Sequence, residues 1–386
     1  MMSRRLARFE ATLQGLTARS RGRSLEGRAG HDFASNDYIG LAGSPRLARA
    51  VSDALGRGLP VGAAGSRLLR GNHPEHEALE REAAAFFGAG RCLFFGSGFD
   101  ANLALFSTLP RREDLIVHDA LIHASVHAGM EASKAPAVAF AHNDAQAAED
   151  AILAWRAGGG RGTPWIAVES IYSMDGDAAP LADLVAIAER HDGFLVVDEA
   201  HATGVFGDRG RGLAAAFEGR ESVIALHTCG KALGVSGALV AAHASLIDFL
   251  INRARPFIYA TAPSPLVAAA VREGLRVLQD EPERRERLAA LVRGAEGALM
   301  QRLGVPASGS QIIPVMLGSN ARAVAVAARV RAAGFDCRPI RPPTVPEGTA
   351  RLRISLTLTV DAEIVSALVE ALDDAMGDEP AERALS

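Results

Sequence analysis

Short apolar runs alternate with amphipathic segments from about residue 90 onward. Seven runs have the length of buried strands: residues 92–95, 115–118, 137–140, 165–169, 194–201, 223–228 and 237–242. Segments with helical spacing of apolar residues separate several of them, for example residues 146–156 and 181–191. Apolar runs separated by helices are typical of a parallel sheet that is covered on both faces. The pattern therefore predicts an α/β fold with a mainly parallel central sheet and helices on both faces.

The pattern changes after about residue 275. A charged helical segment, a strand-like run, a second helix and a final strand follow, at residues 280–303, 312–317, 321–333 and 351–356. This mixture is typical of a smaller α+β domain. We expect three parts: an N-terminal helical segment (1–40), a large α/β domain (41–275) and a small C-terminal α+β domain (276–386).

The N-terminal segment is rich in arginine and has no apolar core of the kind found in secretory signals. A transit peptide stays open as an interpretation. Leu6, Phe9, Leu13 and Leu16 have helical spacing. We therefore favour an amphipathic helix that docks on the body of the protein.

Composition favours small-molecule chemistry. Of the 386 residues 48% are hydrophobic and 22% charged, as in ordinary folded proteins. The net charge of −4 gives no electrostatic reason to expect nucleic acid or an anionic membrane as a partner. The 3 cysteines include no CxxC pair, so no disulfide framework or zinc site is indicated and a reducing, cytoplasmic location is expected. No apolar run approaches the ~20 residues of a membrane-spanning helix.

A single lysine stands out in the segment HTCGKALGVSGA. The chain has 41 lysine and arginine residues, yet only Lys134 and Lys231 are lysines. An arginine would serve any purpose that requires only positive charge. A lysine amine, unlike a guanidinium, can act as a nucleophile and form a Schiff base. Lys231 is therefore a candidate for covalent catalysis.

Asp198 ends the apolar run FLVVDEAH. Ligands in open α/β sheets bind at the carboxyl ends of strands, and a buried carboxylate there requires a cationic partner. An aspartate that merely caps the next turn is an equally good interpretation of this residue alone. Residues 198–201 also match the DEAH box of helicases, but that class needs a GxxxxGK[ST] loop. Lys231 is followed by alanine instead of serine or threonine, and residue 225 is alanine instead of glycine, so the helicase class is excluded.

The segment CLFFGSGFDAN leads from a strand through Gly96, Ser97 and Gly98 into a helix. Backbone amides at a helix N-terminus bind phosphate, and glycines allow close approach. The same residues match a GxGxxA dinucleotide motif, with Asp119 as a conceivable ribose ligand. An NAD-dependent oxidoreductase is therefore an alternative, as is a tight turn that binds nothing.

Histidines 118, 123 and 127 are candidates for metal ligation, but no HExxH motif accompanies them and we expect no metal. His123 follows a strand at the expected crevice, and His201 lies beyond Asp198.

These candidates together have the parts that hold pyridoxal 5′-phosphate: an amine, a phosphate cradle at 97–99, a strand-end carboxylate and flanking histidines. Lys231 would react with its aldehyde, and Asp198 would keep its pyridine nitrogen protonated.

The chain resembles the α-oxoamine synthases, which are fold-type I pyridoxal-phosphate enzymes, from about Phe33 to Leu358. The resemblance rests on seven motifs in order: FASNDYIGLA, GSRLLRGNHPEHEALE, AHNDA, IYSMDGDAAPL, VVDEAHATGVFGDRGRG, TCGKALGVSGA and RPPTVPEGTARLRISLT. So many long motifs are far more specific than one fingerprint. The resemblance implies a homodimer with its active sites at the subunit interface.

The resemblance also assigns roles to individual residues. It makes Lys231 the covalent attachment and proton shuttle, Asp198 the pyridinium partner and His123 the ring that stacks on the cofactor. The remaining cofactor residues are His201 and Ser173 near the ring hydroxyl; Ser97, Gly98, Phe99 and Thr228 near the phosphate and ring; and Thr261, which reaches the phosphate bound to the other subunit. The substrate residues are Arg19 (or Arg21), Asn36, Arg341, Thr344 and Arg353. Of these, Arg353 would pair with the amino-acid carboxylate, and Arg341 and Thr344 would contact the acyl substrate.

The reaction implied is a decarboxylative condensation of L-alanine with a pimeloyl (6-carboxyhexanoyl) thioester. The acyl group would arrive on coenzyme A or an acyl carrier protein, and the products would be 8-amino-7-oxononanoate and CO2, in biotin biosynthesis. The glycine C-acetyltransferase, 5-aminolevulinate synthase and serine palmitoyltransferase types share the core motifs. The motif RPPTVPEGTARLRISLT favours the alanine-using member over these alternatives.

Overall fold

The computed structural model describes residues 5–377, which form two compact units. The larger unit comprises residues 37–173 and 177–286, and the smaller comprises residues up to 36, 174–176 and those from 287 onward. The sequence placed the boundary near residue 275. Residues 265–280 instead stay in the larger unit, because they form a helix that packs against helices at 45–56 and 74–87.

Strands and helices are numbered along the chain. The strands are β1 (His31–Asp32), β2 (Arg91–Phe95), β3 (Leu115–Asp119), β4 (Ala137–Phe140), β5 (Pro164–Glu169), β6 (Phe194–Asp198), β7 (Val223–Thr228), β8 (Ala238–Ala242), β9 (Ile312–Gly318), β10 (Phe335–Asp336), β11 (Arg338–Ile340) and β12 (Ala350–Ser355). The helices are α1 (Ala7–Ala18), α2 (Pro45–Gly56), α3 (Pro74–Phe87), α4 (Gly98–Thr108), α5 (Ala124–Glu131), α6 (Ala145–Ala157), α7 (Leu181–Arg190), α8 (Ala244–Arg253), α9 (Arg255–Ile258), α10 (Pro265–Asp280), α11 (Glu283–Leu303), α12 (Asn320–Ala332) and α13 (Ala362–Gly377).

A seven-stranded sheet forms the centre of the larger unit, in the order β2-β8-β7-β6-β5-β3-β4. Only β8 runs antiparallel to its neighbours. Helices α3, α4, α6, α7 and α8 pack around it. The residues of β5 and β7 are all buried, which explains why these strands read as continuous apolar runs. The predicted α/β fold class with a mainly parallel sheet is confirmed.

Local signals start and stop the helices that surround the sheet. Ser44 and Ser264 accept hydrogen bonds from the first turns of α2 and α10, and each is followed by a proline at the first helical position. Helix α3 ends at Gly88 in the left-handed conformation, with φ 77°. These caps need no tertiary contact, so the sequence alone positions these helix ends.

The smaller unit contains an antiparallel sheet with the order β11-β12-β9, and a short parallel pair of β1 with β10. Helix α12 packs against this sheet and against α13. Every residue of β12 is buried. The strand therefore forms the centre of the unit, and Arg351 and Arg353 on it are buried arginines.

Helix α1 forms where the N-terminal spacing predicts it, and most of its apolar face is exposed. Leu6, Phe9 and Leu13 are 54%, 54% and 62% exposed, and no residue of α1 is buried. Leu16, the fourth residue of the predicted face, is half-buried, and the docking of this face stays a prediction. Periodicity predicts a helix but not the surface that covers it.

Candidate active site

Three neighbouring parallel strands end in buried polar residues at one edge of the sheet. Strand β5 ends at Glu169, β6 at Asp198 and β7 at Thr228. Glu169 and Asp198 are directly paired in register. The carboxyl ends of parallel strands form the ligand crevice of such sheets. The larger unit therefore has a candidate site at this edge.

Glycines hold the loop that carries Lys231. Gly234 has φ +67°, and a Cβ built on it would lie 2.4 Å from the backbone nitrogen of Ala42. Gly237 has φ +101°, and its Cβ would lie 2.5 Å from the ring of Phe94. A larger residue at either position would force the backbone to move. The glycines of HTCGKALGVSGA thus allow the loop after β7 to pack closely and present Lys231.

The Lys231 amine is hydrogen-bonded within the site. Its Nζ lies 2.7 Å from His201 Nε2, and His201 Nδ1 lies 2.6 Å from the Tyr38 hydroxyl oxygen. A protonated amine can only donate, so Nε2 accepts from it and Nδ1 donates to Tyr38. The predicted residues Lys231 and His201 are therefore brought together, and Tyr38 orients the imidazole. Sequence reasoning missed Tyr38, although it lies in the motif FASNDYIGLA.

A chain of hydrogen bonds joins Asp198 to His123. The Asn102 side-chain amide donates to Asp198 Oδ2 at 2.8 Å and to Ser125 Oγ at 2.9 Å. Ser125 Oγ lies 2.7 Å from His123 Nδ1, and the hydroxyl donates to that nitrogen. Asn102 and Ser125 are both buried. These hydrogen bonds fix the His123 ring relative to the Asp198 carboxylate. The sequence signal that could have found them is Asn102, which lies one helical turn after Gly98.

His123 caps helix α5 and is neutral near pH 7. Burial lowers the pKa of His123 below its usual range; attraction to Asp198 opposes this shift, whereas repulsion from Lys231 and His127 adds to it. A neutral ring with Nδ1 as an acceptor is consistent with the bonds from Ser125. It can lie against an aromatic ligand without adding charge to the site.

Glu169 is a buried acid beside Asp198 that sequence reasoning missed. Its Oε2 accepts the backbone N–H of Ser173 at 3.0 Å, and its Oε1 has no hydrogen-bond partner. Burial and repulsion from Asp198 raise the pKa of Glu169 to about 8, although attraction to Lys231 opposes them. The sequence signal that could have found Glu169 is its position at the end of the apolar run WIAVE, the run before the one that ends in Asp198.

Glu169→Gln should gain stability relative to the parent protein as the pH rises. The folded carboxyl keeps its proton between its ordinary pKa near 4.5 and about 8, so the parent loses stability through this window. Glutamine does not ionise and retains an acceptor for Ser173. We expect the difference in Tm to widen by a few degrees from about pH 5 to about pH 8, measured by calorimetry. A constant difference, equal to that of the exposed control Glu113→Gln, would contradict the raised pKa.

The N-terminus of α4 lies beside the end of β7. A Cβ built on Gly98 would lie 3.5 Å from Thr228 Oγ1, which shows how close the two segments are. Ser97 caps the helix by accepting from Asp100 N at 3.1 Å, and its hydroxyl donates to Asp100 Oδ2 at 2.8 Å. The N–H groups of a first helical turn have no partner within the helix and attract anions. The turn therefore has the form of an anion cradle, with Phe99 47% exposed at its rim.

The other sequence candidates of the larger unit lie elsewhere or have other contacts. Ser173 is buried against Glu169, whereas Thr261 is exposed. The proposed ribose ligand Asp119 is buried and bonded to the backbone N–H groups of Leu121 and Asn143. Within residues 5–377, no three histidine, cysteine or acidic side chains are placed to hold a metal ion.

The predicted substrate residues Arg353 and Asn36 meet within the smaller unit. Arg353 is buried and donates to Asn36 Oδ1 at 3.0 Å and to Ser355 Oγ at 2.6 Å. These bonds hold the guanidinium in a fixed direction.

The N-terminal arginines lie against the segment around Thr344. Arg23 donates to Thr344 Oγ1 at 3.1 Å, and Arg21 pairs with Glu347. Arg341 donates to the backbone oxygens of Ser20 and Gly22 at 2.6 and 3.3 Å. Arg19 instead donates to the oxygen of Gly15 in its own helix, at 3.0 Å. The structure thus brings Arg23, rather than Arg19, to Thr344, and Arg21 to the nearby Glu347.

Comparison with known proteins identifies the family. The model of the family "Aminotransferase class I and II" matches residues 30–372. The chain belongs to the class I and II aminotransferase family. A curated relative within it, the 8-amino-7-oxononanoate synthase of Anaeromyxobacter dehalogenans, is 42% identical and covers 96% of each chain. The family predicted from the sequence motifs is confirmed.

Solved structures of this family have the same fold. The 8-amino-7-oxononanoate synthase of Francisella tularensis matches with a TM-score of 0.77 and 27% identity, over 90% of this chain and 98% of that chain. A serine palmitoyltransferase (SPT) structure with a PLP internal aldimine matches with a TM-score of 0.85 and 27% identity, over 96% and 97%. Among the described residues, no helix has both the length and the apolarity to cross a membrane.

Proposed function

We propose that this chain is a pyridoxal-phosphate-dependent acyltransferase that makes 8-amino-7-oxononanoate. It would condense L-alanine with a pimeloyl thioester and release CO2 and the free thiol carrier, as a step of biotin biosynthesis. The observation that carries the proposal is the 42% identity with an 8-amino-7-oxononanoate synthase over 96% of both chains. The grouping of Lys231, His201 and Asp198 at one sheet edge gives this identity a chemical basis.

The residues of the larger unit fit pyridoxal 5′-phosphate. Asp198 is a buried carboxylate whose hydrogen bonds come from the uncharged Asn102 side chain and the N–H of Ala200, so a cationic ring N–H suits it. The first turn of α4 suits a phosphate, and Lys231 supplies a primary amine. When bound, the cofactor withdraws electrons from the α-carbon of an amino acid.

The side chains around the amine would move and hold protons. Lys231 Nζ would take the α-proton of alanine and return it after the new carbon–carbon bond has formed and CO2 has left. His201 Nε2 lies 2.7 Å from that amine and would hold it in position between the two transfers. His123, neutral and fixed by Ser125, would cover one face of the cofactor ring.

Arg353 is the proposed anchor for the carboxylate of alanine. Arg353→Lys should raise KM for alanine by about tenfold to a hundredfold and change kcat less, because an ammonium cannot form the two parallel bonds of a guanidinium. Initial rates at varied alanine and fixed thioester would measure this. Arg293→Lys, at an exposed position on α11 in the same unit, is the control. An unchanged KM in Arg353→Lys would refute the anchor.

The serine palmitoyltransferase type is the second candidate, because its solved structures match this chain with a TM-score of 0.85. The solved structures do not separate the two, because identity is 27% both with that enzyme and with the Francisella 8-amino-7-oxononanoate synthase. The 42% identity with the Anaeromyxobacter 8-amino-7-oxononanoate synthase, over 96% of both chains, supports the first candidate. We therefore favour alanine and a dicarboxylic acyl group over serine and a long alkyl chain.

We also propose a homodimer with shared active sites. Several large apolar side chains of the larger unit are exposed, among them Leu69 (80%), Tyr259 (75%) and Val61 (72%). The segments around Val61 and Tyr259 lie together, because Ser264 Oγ donates to the backbone oxygen of Val61 and the N–H of Ala262 donates to that of Gly65. Exposed apolar patches are typical of subunit interfaces. Thr261 lies two residues after Tyr259 and would reach the cofactor phosphate of the partner. Light scattering of the purified protein should give twice the chain mass.

A turnover assay tests the proposed function. Purified protein with pyridoxal phosphate should absorb visible light and lose that band after borohydride. It should convert L-alanine and pimeloyl-coenzyme A or pimeloyl-acyl carrier protein into 8-amino-7-oxononanoate, identified by mass spectrometry. Glycine and serine with acetyl- and palmitoyl-coenzyme A are the competing pairs. Preference for one of these pairs would reassign the substrate, and a colourless protein stabilised by NAD would refute the cofactor.

A further inference from the structure

His142 lies between two carboxylates. It belongs to the loop that joins β4 to α6. Its Nδ1 lies 2.9 Å from Asp119 Oδ1, and its Nε2 lies 2.7 Å from Asp177 Oδ2. An ionised carboxylate only accepts hydrogen bonds, so both ring nitrogens must donate and the imidazole must be protonated.

The charge state of His142 agrees with this geometry. Burial lowers the pKa of His142, but the hydrogen bonds and charges of Asp119 and Asp177 outweigh it and raise the pKa to about 10. The ring of Tyr172 packs edge-on against the imidazole, with centroids 4.4 Å apart. Because the pKa is raised, the contact stabilises the fold at neutral pH and is lost as the pH rises through about 10.

Asp119 shapes the turn that leads to His123. It ends β3 and is completely buried. Its Oδ1 accepts the N–H of Leu121 at 2.8 Å, and its backbone oxygen accepts the N–H of Ile122 at 3.2 Å. The next residue is His123. The carboxylate that His142 holds therefore sets the direction in which the chain enters the site.

Asp177 closes the loop that begins at Ser173. Its backbone oxygen accepts the N–H of Tyr172 at 2.9 Å, which draws the two ends of the loop together. Its Oδ2 accepts the side-chain amide of Asn143 at 2.6 Å as well as the bond from His142. Tyr172 precedes Ser173, whose N–H is bound by Glu169. Asp177 thus fixes the position of Ser173 from the other side.

We infer that protonated His142 is a positioning residue that ties the loop of His123 to the loop of Ser173 through Asp119 and Asp177. The inference rests on the proposed function, in which His123 covers the cofactor ring and Ser173 lies near its hydroxyl. Both ring nitrogens of His142 are bonded to these carboxylates, so it acts through them. Its role is to keep two segments, which begin at different strands, in register around the bound ring.

His142→Gln tests the bridge. A glutamine can donate to one carboxylate, but its carbonyl oxygen then faces the other. At saturating pyridoxal phosphate we expect kcat to fall about tenfold or more, as small misplacements of positioned groups do. The visible circular dichroism of the bound cofactor should change with it. The matched control is His191→Gln, which removes a histidine 2.9 Å from one carboxylate, Glu149, at the end of α7.

A second variant keeps the inference testable if His142→Gln does not fold. Asp177→Asn changes a half-exposed side chain and should shift kcat and the dichroism in the same direction. The two changes should combine less than additively, because each breaks the same bridge. The inference would be overturned if either variant unfolded cooperatively and kept the parental dichroism and kcat. It would also be overturned if His191→Gln lost as much kcat and dichroism as His142→Gln.

The dichroism separates this inference from the proposed function. It requires only the bound cofactor, not the acyl donor. A parent protein that binds pyridoxal phosphate but does not condense alanine with a pimeloyl thioester would refute the proposed substrates. A changed cofactor spectrum in His142→Gln would still support the bridge in that case.

Discussion

Lys231→Arg should abolish turnover although it preserves the positive charge. A guanidinium cannot form the covalent bond to an aldehyde, and it stays protonated, so it can neither attach the cofactor nor take a proton from alanine. Loss of positioned proton transfer alone costs 10²–10⁴-fold in general, so we expect kcat to fall by at least about 10³-fold. Steady-state rates and the mass of the borohydride-treated protein would measure the two effects.

The chain provides its own control for this substitution. Lys134 is the other lysine of the sequence, and it is exposed. Lys134→Arg should keep parental kcat and the covalent adduct. Residual turnover in Lys231→Arg within tenfold of the parent, or an adduct on Lys134, would refute the assignment of the amine.

Asp198→Asn should lower kcat by about 10³-fold while the protein stays folded. The carboxylate is buried at the end of β6 and is bound by Asn102 and the N–H of Ala200. The amide has the same shape but carries no charge, so it cannot stabilise a proton on the pyridine nitrogen. Removing one partner of a buried charge pair costs about 2–5 kcal/mol, and the expected fall in kcat of about 10³-fold lies within this range.

The cofactor spectrum shows whether this loss has the expected cause. We expect weaker binding of pyridoxal phosphate and a shifted visible band in Asp198→Asn, from titration followed by absorbance. Asp53→Asn, at an exposed position on α2, should change neither. A variant with parental kcat would show that Asp198 is only a capping residue, which is the alternative that its sequence position allows.

Much of the fold follows from local pattern. The strands of the larger unit and helices α6 and α7 lie within a few residues of the predicted segments. Strands such as β5 and β7 are buried along their whole length and are therefore mainly apolar, and α6 begins at the capping residue Asp144. Lys231 and Asp198 were also chosen as candidates from the sequence, and their catalytic roles stay a prediction. A lysine in a chain of arginines and a carboxylate at a strand end are visible without knowing which strands are neighbours.

The remaining features required the tertiary structure. The hydroxyl of Tyr38 reaches His201 across 163 residues, and Asn102 reaches Asp198 across 96. The raised pKa of Glu169 depends on the pairing of β5 with β6, which periodicity does not report. The bridge of His142 to Asp119 and Asp177 likewise depends on which loops the sheet order brings together. Sequence determined which residues could do the chemistry, whereas strand order and burial decided their partners and charge states, because electrostatic energies depend on distance and solvation in space.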